Sequence, residues 1–273
     1  MQAFLRWTPP GGVLGTICLE SEARAARLSG RWAELERLAA SAPAGPSLAQ
    51  ALRRADVALI AEVKRRSPSK GSIAPDLDAV TQARAYVAGG AAAISVLTEP
   101  AHFSGSLEDL EAVRAALPVP ALKKDFHVRP IQLMEARASG ASAALLIARA
   151  LDPDRLRQMM ETGRELGLEL LVEIRDEAEL DRALEVGATM IGVNNRDLES
   201  LVIDPATAER LVPRIPAEIV AIAESGVKSR ADVERYAQCG ADAVLVGSSI
   251  SAAADPTAAT RSLAAVPRVA RVR

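Results

Sequence analysis

The chain alternates between short, almost wholly apolar runs and longer amphipathic stretches. The apolar runs are 57–63, 91–97, 119–124, 142–148, 168–174, 188–194, 217–223 and 241–247. A strand that is buried on both faces of a parallel sheet has this near-continuous apolar pattern, whereas a half-exposed strand alternates apolar and polar residues. The pattern therefore predicts eight buried, parallel strands.

The stretches between these runs predict helices. Five of them carry apolar residues at helical spacing and end in glycine, the usual left-handed helix terminator. These five are 77–90, 131–140, 154–167, 177–187 and 230–240. Repeated strand–helix units require right-handed crossovers, and eight such units form a (β/α)8 (TIM) barrel. A doubly wound open sheet is the alternative, but eight equal units without an inserted domain favour closure.

An N-terminal segment precedes the first predicted strand. The stretch 19–41 predicts one or two helices, and a Pro/Gly/Ser break at 42–47 separates it from a further helical stretch. We expect residues 1–50 to form a helical extension packed on the barrel, and residues 51–273 to form a single catalytic (β/α)8 domain.

Composition narrows the class of protein. The 273 residues carry a net charge of -2, so the basic excess that is typical of nucleic-acid binders is missing. The two Cys and two His lack metal-binding or redox spacing, and no apolar run reaches the roughly 18 residues of a membrane span. The N-terminus lacks the pattern of a signal peptide. These features predict a cytoplasmic protein without a metal site, a nucleic-acid partner or a membrane partner.

Polar residues cluster where the predicted strands end, which is where barrel enzymes carry their chemistry. Strand alternation places Glu62 and Lys64 on one side, and it directs Lys124 inward and Lys123 outward to a structural role. An inward charge is costly unless it is paired, so we expect pairing and altered pKa values at one mouth. The alternative interpretation is that these charged residues are merely solvated rim residues. This interpretation becomes less convincing when several strands carry a charged residue at the same end. The other strand-end candidates are Glu173, Asn194, Arg196 and Glu224.

The last two strands are followed by "ESG" and "GSS", which together predict a phosphate site. Loops after the seventh and eighth strands commonly bind phosphate in these barrels. Gly226 and Gly247 allow backbone N–H groups to approach an anion, and Ser225 and Ser248 supply hydroxyl donors. The residues after Gly247 also have the pattern of a short helix, and the N-terminus of such a helix would attract phosphate.

The basic stretch "AEVKRRSPSKG" (61–71) has the composition of a nuclear localisation signal or an RNA-binding patch. Its place after the first predicted strand instead indicates a loop at the barrel mouth that serves an anionic ligand. Proteins that bind single-stranded nucleic acid need aromatic residues between the basic ones, and this stretch contains none.

Seven stretches together resemble the indole-3-glycerol phosphate synthase family of tryptophan biosynthesis. They are "AEVKRRSPSKG", "ISVLTEPAHFSGSLEDL", "LKKDFHV", "LLVEI", "IGVNNRDL", "AESGV" and "VLVGSSI", in order from about residue 57 to about 256. The resemblance implies that carboxyphenylamino-deoxyribulose phosphate is closed, decarboxylated and dehydrated to indole-3-glycerol phosphate, without a metal or organic cofactor.

The resemblance also implies residue roles. Lys124 is expected to protonate the ketone oxygen during ring closure, with a pKa lowered by nearby Lys64. Glu173 is the expected acid/base group of the dehydration, assisted by Glu62. Lys64 is expected to hold the substrate carboxylate or phosphate, and Asn194 and Ser225 complete the catalytic set.

Further residues are implied to bind substrate. Asn194 is implied to bind the ribulose hydroxyls, with Arg196 close by. Phe103 and Phe126 are implied to form the apolar pocket for the aromatic ring. Glu224, Gly226, Gly247 and Ser248 complete the phosphate-binding and substrate-binding set, with Ser67 as a helper. The expected partners are a phosphorylated small molecule and other tryptophan-pathway enzymes, and the expected state is a monomer or weak dimer.

Three alternatives stay open. The first is a different phosphate-binding barrel enzyme, such as phosphoribosylanthranilate isomerase, whose family uses a Cys and an Asp as its acid/base pair. The second is a barrel that binds a phosphorylated ligand without catalysis. The third is a nucleic-acid binder, for which binding would depend steeply on salt concentration.

Overall fold

The computed structural model describes residues 7–271, and its eight parallel strands close into one barrel. The strands are β1 (Ala58–Val63), β2 (Ala93–Leu97), β3 (Ala121–Lys124), β4 (Ala143–Ile147), β5 (Glu169–Ile174), β6 (Met190–Asn194), β7 (Val220–Glu224) and β8 (Ala243–Val246). Each strand pairs with the next, and β8 pairs with β1 from Ala243 opposite Ala58. The predicted (β/α)8 barrel is confirmed, and the open doubly wound sheet is wrong.

Thirteen α-helices accompany these strands in the described part of the chain. They are α1 (Gly12–Leu28), α2 (Trp32–Ser41), α3 (Leu48–Leu52), α4 (Ala79–Ala88), α5 (Pro100–Phe103), α6 (Leu107–Ala116), α7 (Pro130–Ala138), α8 (Pro153–Glu165), α9 (Glu177–Glu185), α10 (Ala206–Leu211), α11 (Arg230–Gln238), α12 (Ser248–Ser251) and α13 (Pro256–Leu263). The stretch predicted as one or two helices is two, α1 and α2, and α1 begins seven residues before the predicted start at Leu19.

The predicted strands begin one to three residues too early. For example, the apolar run 91–97 yields the strand Ala93–Leu97, because the two residues before it form the buried turn from α4 into the barrel. Gly90 adopts a φ of 103° in this turn, and the Ala91 N–H donates to the Tyr86 carbonyl at 3.0 Å. Burial therefore extends beyond the hydrogen-bonded ladder, and an apolar pattern alone cannot separate the two.

The N-terminal extension packs against one side of the barrel. A small apolar cluster of Ala25, Leu35, Ile131 and Met134 joins α1 and α2 to α7. At the mouth, the Arg24 guanidinium lies 2.7 Å from Asp125 and 3.2 Å from Glu99, the residues that follow β3 and β2. The predicted helical extension is therefore present, and an ion-pair network fixes α1 beside the strand ends.

Candidate active site

A cavity of about 270 Å³ opens at the carboxyl ends of the strands. All fourteen residues proposed from the sequence as catalytic or binding groups line it: Glu62, Lys64, Ser67, Phe103, Lys124, Phe126, Glu173, Asn194, Arg196, Glu224, Ser225, Gly226, Gly247 and Ser248. Residues from seven of the eight strand ends thus meet in one site, although their individual roles stay proposals.

Lys124 lies among three carboxyl groups. Its Nζ is 3.2 Å from Glu173 Oε2 and 3.7 Å from Glu224 Oε2, and its side chain is 15% exposed. Burial by itself lowers the pKa of Lys124, but Glu173, Glu224 and Glu62 outweigh burial and raise that pKa above its ordinary value. The prediction that Lys64 lowers the pKa of Lys124 is wrong, because the surrounding carboxyl groups dominate.

Glu62 and Lys64 form an ion pair at the end of β1, with 2.5 Å between Glu62 Oε1 and Lys64 Nζ. Burial raises the pKa of Glu62, but Lys64, Lys124 and Arg196 together outweigh burial and hold that pKa below its ordinary value. Gly247 leaves the space for this carboxylate, since a Cβ at that position would lie 2.5 Å from Glu62 Oε1. Glu62 is therefore an ionised anchor between two lysines.

Glu224 is the carboxyl group that favours its neutral form. Burial, and then the neighbouring Glu173 carboxylate, raise the pKa of Glu224 well above its ordinary value. Its Oε1 has no hydrogen-bond partner among the described residues. Glu173 Oε1, in contrast, accepts a hydrogen bond of 2.9 Å from Asn194 Nδ2. Glu224 therefore favours its neutral form, whereas both oxygens of Glu173 are held by hydrogen-bond donors from Lys124 and Asn194.

Replacing Glu224 by Gln should change the pH dependence of stability in one direction. A carboxyl group whose pKa is raised by folding stabilises the folded state below its unfolded pKa, and this contribution is lost as the pH rises towards the folded pKa. Glu224→Gln keeps a neutral group of similar shape, so its stability relative to the wild type should increase from pH 5 to pH 8. For each unit by which folding raises the pKa of Glu224, this difference in the free energy of unfolding grows by about 1.4 kcal/mol. Urea unfolding at several pH values measures this difference, and a difference independent of pH would contradict the assignment.

Two phenylalanines form one wall of the cavity. The ring centroids of Phe103 and Phe126 are 5.9 Å apart, and Lys64 Nζ lies 5.8 Å from the centroid of Phe103. Glu99 caps the short helix α5 by accepting bonds from three backbone N–H groups, including that of Phe103 at 3.2 Å. Because Arg24 binds Glu99, the N-terminal extension supports this wall.

The extension also contributes lining that the sequence analysis missed. Val13, Leu14 and Ile17 of α1 border the cavity beside residues of the barrel. Their spacing of three and four residues indicates a buried helical face, but it does not show which part of the barrel that face covers. Lys70 and Lys228 also line the cavity and were not proposed as binding residues. Both could have been inferred from their positions in the sequence, since Lys70 lies in the basic stretch 61–71 and Lys228 follows Gly226 by two residues.

The proposed phosphate end combines the loop after β7 with α12. Ser225 and Gly226 have positive φ values of 67° and 92°, so this turn holds one non-glycine residue in a left-handed conformation. α12 begins directly after Gly247, as the sequence predicted for a short helix. Ser67 Oγ is buried without a hydrogen-bond partner among the described residues, and Ser67 borders the same cavity.

The basic stretch 61–71 is divided between structure and site. Lys64 and Lys70 line the cavity, whereas Arg65 turns away and binds Asp109 of α6, with Nη2 and Oδ1 3.0 Å apart. Arg66 is exposed in a two-residue hairpin strand. The stretch is therefore a loop at the barrel mouth, as predicted from its position.

Two kinds of feature are absent from residues 7–271, the part of the chain that the structure describes. No group of three or more His, Cys, Asp or Glu side chains in that range is arranged to hold a metal ion. No helix in that range combines the length and apolar character that crossing a membrane requires. The expectation that the reaction needs no cofactor stays a prediction.

The fold and the cavity place the chain in the class of (β/α)8-barrel enzymes. A family profile described as "Indole-3-glycerol phosphate synthase" matches residues 16–263, a wider range than the sequence motifs span. The chain therefore belongs to the indole-3-glycerol phosphate synthase family, whose members are carboxy-lyases of tryptophan biosynthesis.

Individual relatives support this membership. The indole-3-glycerol phosphate synthase of Mycolicibacterium vanbaalenii is 49% identical over 230 residues, which cover 84% of this chain and 85% of that protein. The protein of the same name from Streptomyces griseus is 51% identical over 232 residues, covering 85% and 86%. Both comparisons include most of the barrel and part of the extension.

Solved structures show the same fold at low sequence identity. 3-Hexulose-6-phosphate synthase from Salmonella typhimurium matches with a TM-score of 0.59 and 18% identity, covering 76% of this chain and 96% of that chain. Thiamine phosphate pyrophosphorylase from Pyrococcus furiosus matches with a TM-score of 0.56 and 18% identity, covering 78% and 95%. At these identities the likeness concerns the fold alone.

Proposed function

We propose that the chain converts 1-(2-carboxyphenylamino)-1-deoxyribulose 5-phosphate to indole-3-glycerol phosphate with the residues of this cavity. The ring carbon that bears the carboxylate attacks the ketone, carbon dioxide leaves, and loss of water completes the pyrrole ring. The observation that carries the proposal is the lysine–carboxyl cluster on the cavity floor, with Lys124 Nζ 3.2 Å from Glu173. Family membership supports the reaction, and this geometry supports the choice of these residues as its acids and bases.

Lys124 is the proposed general acid of ring closure. Ring closure converts the ketone into an alkoxide, and an ammonium group pointing into the cavity can protonate that oxygen. The raised pKa keeps Lys124 charged in the free enzyme, so the group also attracts the anionic substrate. Glu173 and Glu224 hold the ammonium in place, which limits the reorganisation needed in the transition state.

Glu173 is the proposed acid/base group of the dehydration. This step protonates the leaving hydroxyl group and removes a proton from the adjacent carbon, so it needs a carboxyl group that can exchange a proton. Glu173 lies between Lys124 and Asn194, which orient both of its oxygens. Glu62 keeps Lys64 in position at 2.5 Å, and Lys64 lies close enough to Phe103 to bind the carboxylate of an aromatic ring placed there.

The remaining lining residues are proposed to bind the two ends of the substrate. Phe103 and Phe126 fit the aromatic ring, and Asn194 fits the ribulose hydroxyls. Asn194 Oδ1 accepts the Arg196 N–H at 2.9 Å, so these two neighbours form one rigid unit. The phosphate is assigned to Ser225, Gly226, Gly247 and Ser248, with Ser67 as a helper, because these residues border the cavity together.

The isomerase alternative is disfavoured by the position of the thiols. Cys18 is fully buried in α1, and Cys239 is half-buried directly after the end of α11. Neither cysteine borders the cavity, so no Cys–Asp pair is available there among the described residues. The expectation of a monomer or weak dimer, and of other pathway enzymes as partners, stays a prediction.

A fluorescence assay tests the proposed function directly. The purified protein is mixed with 1-(2-carboxyphenylamino)-1-deoxyribulose 5-phosphate without added metal, and indole fluorescence is followed. We expect indole-3-glycerol phosphate to form. A protein that leaves this compound unchanged but isomerises phosphoribosylanthranilate would overturn the proposal in favour of the first alternative. A protein that binds the compound without converting it would favour the binding-only barrel.

A further inference from the structure

Both tyrosines of the chain are buried, and both direct their hydroxyl groups beneath the proposed phosphate end. Tyr86 lies on α4 and Tyr236 on α11, with exposures of 0% and 2%. We propose that these two side chains are positioning residues, each of which holds one half of the phosphate site. The inference rests on the proposed function, because it concerns the same phosphate end.

Tyr86 supports the half formed by α12. Its hydroxyl group lies 2.9 Å from Ser251 Oγ, and Ser251 Oγ donates to the Glu62 carbonyl at 3.1 Å. Gln82 Nε2 donates to the Tyr86 oxygen at 2.9 Å. The Tyr86 hydroxyl group also lies 3.3 Å from the Glu62 carbonyl, so Gln82, Tyr86, Ser251 and this carbonyl form one chain of hydrogen bonds. This chain ties α12 to the end of β1.

Tyr236 supports the half formed by the loop after β7. Asn195 Nδ2 donates to the Tyr236 hydroxyl at 2.9 Å and to the Ser225 carbonyl at 3.0 Å. Asn195 Oδ1 accepts the Ala208 N–H at 2.9 Å, which fixes the orientation of the amide. Tyr236 therefore aligns the amide that holds the carbonyl of Ser225, the residue with the left-handed backbone conformation.

The two halves also contact each other above the tyrosines. Ser249 Oγ of α12 donates to the Val227 carbonyl in the loop after β7 at 2.9 Å. Burial raises the pKa of each tyrosine to about 12, so both hydroxyl groups remain protonated across the working pH range. A phosphate held by these two segments depends on their separation, and each tyrosine fixes one segment to the barrel.

Removing the hydroxyl groups one at a time tests the inference. Tyr86→Phe, Tyr236→Phe and Ser251→Ala are assayed for KM, kcat and competitive inhibition by inorganic phosphate and by anthranilate, the aromatic half of the substrate. Loss of one buried hydrogen bond should raise KM and the inhibition constant of phosphate about tenfold. We expect kcat and the inhibition constant of anthranilate to stay close to the wild-type values, because the aromatic end is untouched.

Double variants give a sharper test. Tyr86→Phe combined with Ser251→Ala should weaken phosphate binding no more than either single change, because both break one chain of hydrogen bonds. Tyr86→Phe combined with Tyr236→Phe should weaken it about a hundredfold, because the two supports are separate. Two results would contradict the proposed arrangement. One is a first double variant that binds phosphate more weakly than either of its single variants, and the other is a second double variant that binds phosphate as well as its single variants do.

Val233→Ala is the matched control for stability. Val233 is fully buried on α11, one turn before Tyr236, and makes no contact with the phosphate end in the proposed scheme. This variant should unfold more easily but keep the wild-type inhibition by phosphate. Tyrosine variants that behave like Val233→Ala would overturn the inference and leave the proposed function standing. A wild-type enzyme that phosphate does not inhibit would instead refute the proposed phosphate site itself.

Discussion

Lys124→Ala should abolish turnover and leave the binding of inorganic phosphate unchanged. The substitution removes the ammonium group that protonates the ketone oxygen, and general acids contribute about 10²- to 10⁴-fold to rates. It also leaves Glu173 and Glu224 without the cation that pairs with them. The phosphate end lies on other strands, after β7 and β8, so inhibition constants for phosphate should not change. Indole fluorescence and phosphate competition measure the two effects separately.

Lys123→Gln is the matched control for this prediction. Lys123 precedes Lys124 in β3 but points away from the barrel axis, where its Nζ lies 2.5 Å from Glu135 of α7. Its loss should lower the free energy of unfolding, because a buried ion pair is broken, while kcat stays close to the wild-type value. Loss of phosphate binding with chemistry retained in Lys124→Ala would contradict the role assigned to Lys124.

These two lysines show why much of the site could be predicted from the sequence. Neighbouring strand residues must face opposite sides, so alternation along the sequence is enough to separate Lys123 from Lys124. All eight strands are parallel, so residues at their carboxyl ends must meet at one mouth. The predicted Glu62, Lys124 and Glu173 lie together for this reason.

Other features could not be predicted because they depend on distances between remote segments. The pKa of Lys124 is set by carboxyl groups from three other strands, and their distances from Lys124 relative to that of Lys64 cannot be deduced from the order of residues. The contact of Tyr86 with Ser251 joins residues 165 positions apart. Val13 is an apolar residue of an amphipathic helix, and only the docking of α1 places it against the cavity.

The second large effect is expected for Glu173→Gln, which should separate the steps of the reaction. The amide keeps an oxygen that can accept the Asn194 hydrogen bond, now 2.9 Å long, but it cannot exchange a proton. The overall kcat should fall about 10²- to 10⁴-fold, the range for a lost acid/base group. Ring closure and decarboxylation precede the step assigned to Glu173. Carbon dioxide should therefore be released faster than indole forms in a single turnover.

Glu169→Gln provides the comparison on the same strand. Glu169 begins β5 at the opposite end of the barrel, where its carboxylate accepts bonds from Ser47 Oγ and the Leu48 N–H, both at 2.6 Å. Its replacement should weaken the attachment of α3 and lower stability, with both products still released together. If Glu173→Gln also released carbon dioxide and formed the indole product at equal, slowed rates, Glu173 would act at or before decarboxylation. The acid/base role in dehydration would then pass to another carboxyl group beside Lys124, and Glu224, which favours its protonated form, is the group placed to take it.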